Sequence, residues 1–65
     1  MDKFVIGSIH RLKYGIYQGM VLVIDPGSDI KILDGFGVHE TGTIASIGWK
    51  AVVTVHREDL ERAIS

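Results

Sequence analysis

The residues of this chain that could do chemistry are few, and their spacing argues against most of the chemistries they could serve. The three histidines are His10, His39 and His56. No two stand at the spacing of a metal-binding pair, so a site would require them to converge in space alone, and we expect no metal. His39-Glu40-Thr41-Gly42-Thr43 begins like the zinc-protease pattern. Thr43, however, stands where the second histidine belongs, and the stretch reads as a loop rather than the helix that chemistry needs. Gly35-Phe36-Gly37 lacks the third glycine of a dinucleotide fingerprint, and no phosphate loop is present. Ser8, Ser28, Ser46 and Ser65 show no nucleophile elbow. The carboxylates are scattered over strand ends and the tail, without a pair placed for general acid-base work. There is no cysteine, hence no thiolate site and no disulfide framework. The expectation is a protein that is not an enzyme and needs no cofactor.

Two sets of residues remain that could bind. Tyr14, Tyr17, Phe36 and Trp49 fall in or beside turns, where aromatic side chains can anchor a partner protein. Trp49, in the tight Gly48-Trp49-Lys50 connection, is expected to be the most exposed of them. Arg11, Lys13, Lys31 and Arg57 could instead form a basic stripe along RNA phosphates, with aromatics stacked on bases. A net charge of −1 disfavours sequence-blind nucleic-acid binding. A protein partner is therefore the leading expectation and RNA the alternative.

The elements that must position these residues are short. Eight glycines cut the 65 residues into pieces rich in Val, Ile and aromatics. Residues 3–13 alternate, with Phe4, Ile6, His10 and Leu12 on one face and Ile9, Arg11 and Lys13 on the other. The run 20–25 (MVLVID) is almost continuously apolar and reads as a strand buried on both sides. Asp25-Pro26-Gly27 is a strong turn signal. Residues 29–33, 42–47 and 50–56 read as three more strands: Ile30 and Ile32 point inward, Ile44 shares a face with Ser46 and Ala45 with Ile47, and Val53 and Val55 share one face. The tail 57–64 changes period: Leu60, Ala63 and Ile64 stand at helical spacing, with Glu58 and Asp59 where a helix N-terminus favours anions. We expect one all-β domain over 1–65, a five-stranded SH3-like small barrel with a short C-terminal helix. So small a chain gains core by oligomerising, so a homo-oligomer is also considered. No run is long enough to span a bilayer and no signal peptide is visible, so membrane insertion is not expected and a cytoplasmic location is.

The chain also echoes itself at a distance of twenty residues. Gly7 and Gly27, Ser8 and Ser28, Leu12 and Ile32, Gly15 and Gly35, and Ile16 and Phe36 correspond. Either a duplication or convergent turn patterning would produce two similar hairpin-like units.

Longer stretches carry resemblances. Pro26-Gly27-Ser28-Asp29-Ile30-Lys31-Ile32-Leu33, then Gly48-Trp49-Lys50, then Val53-Thr54-Val55-His56-Arg57-Glu58-Asp59-Leu60-Glu61 resemble the FeoA-like ferrous-iron-transport accessory domain, an SH3-like barrel. The chain has Tyr17-Gln18-Gly19-Met20 and the following apolar run where that family has a short helix. The resemblance implies a non-catalytic adaptor or regulator that docks on a larger protein. Val55-His56-Arg57-Glu58 is similar to the end of the last strand in the carbon storage regulator, a dimeric RNA-binding translational repressor. That resemblance implies RNA contact by Arg57. Residues 7–19 and Leu60-Glu61-Arg62 are more faintly similar to type II plasmid dihydrofolate reductases, but Val52-Val53-Thr54-Val55 replaces the Gln and Tyr of that enzyme's last strand, so the enzyme reading is set aside.

Overall fold

In a computed structural model, which describes residues 3–48 and 51–64, six strands are followed by one helix. They are β1 (Ile9–Arg11), β2 (Ile16–Gln18), β3 (Val21–Ile24), β4 (Asp29–Gly35), β5 (Thr41–Ser46), β6 (Val52–His56) and α1 (Arg57–Ile64). The chain is mostly β with a short C-terminal helix, as expected. The count of five is corrected to six: Ile16–Gln18, taken from sequence as part of a turn region, extends and pairs with β3. The expected closed barrel gives way to two open sheets, one ordered β1-β4-β5-β6 and one made of β2 and β3 alone.

The strands lie where β-branched residues alternate with polar ones. Along β4, Ile30 and Ile32 are buried while Lys31 is exposed. β5 buries Gly42, Ile44 and Ser46 on the same side, and β6 turns Val55 inward with Val53 half-buried beside it. These inner faces meet Leu12, Ile16, Ile24 and Leu60 in one core. α1 forms because Leu60 and Ala63 share a face that the core covers, while Glu58, Asp59 and Arg62 complement its dipole. Alone, eight residues would not hold a helix; burial of Leu60 does.

The twenty-residue echo has a structural counterpart. Ser8 donates its N–H to the Val5 carbonyl (2.9 Å), and Ser28 does the same to Asp25 (3.3 Å). The glycine inside each turn has positive φ, 90° at Gly7 and 85° at Gly27, a conformation L side chains rarely adopt. The β1–β4 pair then repeats its bonds about a local two-fold between His10 and Ile30. Gly7 N bonds Ile32 O (2.7 Å) and Gly27 N bonds Leu12 O (2.8 Å); Leu12 N bonds Ser28 O (2.8 Å) and Ile32 N bonds Ser8 O (3.0 Å). The correspondence ends there, because β2–β3 and β4–β5 have different registers.

Two expectations are corrected. Ile6 does not share a face with Phe4 and Leu12: those two are buried and Ile6 is exposed, since the Val5–Ser8 turn breaks the alternation before β1 begins. The run at 20–25 is not buried on both sides: Met20 is 98% exposed and Val21 and Leu22 are also exposed, because this is a hairpin whose outer edge has no covering element among the described residues.

Candidate functional site

Of the four expected aromatic anchors, Tyr14 and Tyr17 line the same groove of about 880 Å³. Ile16 between them in sequence, Thr54 and Val55 of β6, and Asp59 and Arg62 of α1 line it too. Both tyrosines are more than half exposed. Gly15 between them fits the close approach of β2 to β3: a Cβ there would displace the end of the Leu22 side chain and sit 3.1 Å from the Ile24 carbonyl oxygen.

The groove is held by backbone bonds. Arg57 N donates to the Glu40 carbonyl at 2.6 Å, fixing the start of α1 at the end of β6. At the other end of the helix, the Ala63 carbonyl accepts from both Lys13 N (2.7 Å) and Tyr14 N (3.0 Å). These two bonds satisfy a terminal helix carbonyl and place Tyr14 beside α1. Arg62 pairs with Glu58 and Asp59 at 3.6 Å each, on the exposed side of the helix.

Phe36 is elsewhere. It is 0% exposed, so the expectation of a surface anchor is corrected. Its φ of 68° swings the ring inward, 5.4 Å from Phe4, where Gly42 leaves it room. The internal echo held the clue, since it pairs Phe36 with Ile16, which is also buried. Trp49 and Lys50 lie outside the described residues.

The four basic candidates do not form one stripe. Arg11 and Lys31 share the outer face of β1 and β4, near the Ser46 end of β5. Arg11 Nε donates to Asp29 Oδ1 at 3.1 Å, and this hydrogen bond, with the charge behind it, raises the arginine's pKa above its ordinary value. Lys13 follows β1, with Nζ 5.8 Å from the centre of the Tyr14 ring. Arg57 sits at the Thr41 end of β5, about five strand residues or 17 Å away. Its guanidinium lies over Phe4 and Phe36, 5.9 and 5.8 Å from the ring centres, and Nη2 reaches the Gly37 carbonyl at 3.4 Å. The position suits a structural clamp on the core at least as well as a phosphate contact.

One contact was not foreseen. Ser8 Oγ lies 2.9 Å from His10 Nε2, and the ring stands edge-on to Phe4. The hydroxyl donates to the Val5 carbonyl at 2.6 Å, so Oγ is left to accept from Nε2–H. In that arrangement the imidazole does not act as a base toward the hydroxyl. Among the described residues, no group of three or more His, Asp or Glu side chains is placed to hold a metal ion, and no helix is long and apolar enough to cross a membrane. No family model matches the chain, and no match is found among curated proteins or solved structures.

Proposed function

We propose that this chain is a non-catalytic interaction module that docks on a partner protein through the groove between β2, β6 and α1. The observation that carries the reading is that two exposed tyrosines line that one groove. Amphipathic rings with few rotatable bonds make strong contacts at low entropic cost. The partner's chemistry follows from β6, which also lines it. β6 pairs only with β5, and β2 only with β3, among the described residues. An extended peptide entering the groove can add its backbone to the bare edge of β6 while its side chains pack on Tyr14 and Tyr17. The FeoA-like resemblance supports the adaptor role and belongs to the same proposal, as does an SH3-like origin for a hairpin followed by the β4-β5-β6 meander.

The test is binding of a display library of extended peptides to the isolated chain. Selected binders should lose at least about tenfold in affinity with Tyr17→Ala, a cost of roughly 1.4 kcal/mol. Recovery of no binder, or binders indifferent to both Tyr14→Ala and Tyr17→Ala, would remove the reading.

The RNA reading keeps one specific support: Val55-His56-Arg57-Glu58 runs from a strand straight into a helix, as the carbon storage regulator resemblance implies. It predicts affinity for RNA pools that falls steeply with salt and with Arg57→Ala. No shift of RNA at low salt ends it.

A further inference from the structure

From Tyr14 to Ile24 the chain carries no charged residue, and it folds into the one two-stranded sheet of the described residues. β2 turns its free edge toward the groove; β3 turns its own away from it. The outer edge of β3 is blunted by its four-residue length and by the register shift that skips Val23, but by no charged side chain or proline. No lysine, proline or aspartate interrupts Val21–Ile24; Asp25 and Pro26 come only after its end, where proline's missing N–H stops a ladder. No backbone bond from Val21–Ile24 reaches any element other than β2 among the described residues.

We infer that the outer edge of β3 is the seat of a second copy of this chain, with Val21–Ile24 of each copy paired antiparallel about a two-fold axis. Three observations choose this occupant. A two-stranded ribbon is marginal by itself, and pairing with its copy makes it four-stranded. The segment is self-complementary, because an uncharged strand meets itself without like-charge repulsion. Finally, Met20, Val21 and Leu22 are 98%, 64% and 41% exposed along this strand, apolar surface outside the groove that a second copy can cover. The outer face of the four-stranded sheet fits a second copy less well: exposed Ile9 and Val52 stand there among Arg11, Asp29 and Lys31, whose charges would have to be desolvated.

The inference stands apart from the groove and is tested apart from it. Sedimentation of the full chain over about 5 to 500 µM should show a reversible monomer–dimer equilibrium with a Kd of tens of micromolar. Hydrogen exchange at the higher concentrations should slow selectively within Val21–Ile24. Val21→Lys should raise the Kd at least about thirtyfold with an unchanged circular dichroism spectrum. Should that variant fail to fold, Met20→Glu in the exposed turn, which this register sets opposite the second copy's Asp25, gives the same reading. Peptide capture by the groove should be the same for Met20→Glu as for the wild type, which separates failure here from failure of the proposed function. A wild type that stays monomeric throughout, that polymerises without limit, that dimerises with protection at another edge, or whose dimer is unaffected by these charges would overturn the inference.

Discussion

Gly42→Ala adds one methyl group to β5 at a position that is buried opposite Gly35 and Val55. A Cβ built there overlaps the Phe36 ring and stands 2.6 Å from the Asp34 carbonyl oxygen. Neither neighbour yields easily. The ring is fully buried against Phe4 and lies under the Arg57 guanidinium, and the carbonyl belongs to the strand that pairs with β5. Overpacking costs about 1–3 kcal/mol where the surroundings are well packed. With backbone on one side and an enclosed ring on the other, the upper end applies, about 3 kcal/mol. For a domain of this size that lowers the thermal midpoint by about 12–24 °C, and it is most of the roughly 3–5 kcal/mol that so small a core supplies. The assay is urea and thermal unfolding followed by circular dichroism, run as a double-mutant cycle with Phe36→Leu. The smaller side chain opens space for the new methyl, so the double variant should recover about 1–2 kcal/mol relative to additivity. A Gly42→Ala protein within about 0.5 kcal/mol of wild type, or a cycle additive to that precision, would refute the packing argument.

Leu60→Ala empties a fully buried site that joins α1 to the core, and should cost about 2–5 kcal/mol, read as loss of cooperative unfolding near 37 °C. Gly7→Ala and Gly27→Ala meet no atom within 4 Å of the new Cβ, so their cost is conformational alone, about 1–2 kcal/mol each. Equal losses in urea midpoint are expected from the matching φ values, and clearly unequal ones would count against the local two-fold. Arg11→Ala should leave the midpoint unchanged, because its pair with Asp29 is exposed (75% and 41%) and screened by solvent and salt. A loss comparable to that of Leu60→Ala would show that the pair does structural work.

How far the sequence could be read depended on which signal each element left. β4 alternates over Asp29–Ile32, β6 puts Val53 and Val55 on one face, and α1 shows helical spacing behind acidic residues, so all three stand where periodicity puts them. β3 failed for a physical reason: an unbroken apolar run says that a strand is hydrophobic, not that anything covers it. Phe36 failed because turn residues suggest exposure, whereas a single residue of positive φ can send a turn's side chain into the core. The candidate site was legible in its tyrosines but not in the residues of β6 and α1 that complete it. Thr54, Asp59 and Arg62 join Tyr14 and Tyr17 only through a long-range docking of α1 that no local pattern encodes.

The carbonyl of Ala63 has a consequence for the order in which the molecule assembles and comes apart. By holding the N–H groups of Lys13 and Tyr14 it closes a loop of about fifty residues, which costs roughly 3.5 kcal/mol of chain entropy before packing returns any. Hairpin contacts within β4-β5-β6 close much shorter loops, so α1 should be the last element to dock and the first to release. Amide exchange in α1 should then outpace that of Ile30, Ile32 and Ile44, and exchange at equal rates would contradict this order. Since α1 forms the end of the groove, the site exists only while that final step is complete. A ligand bound there would slow the helix's release, tying occupancy of the groove to closure of the fold.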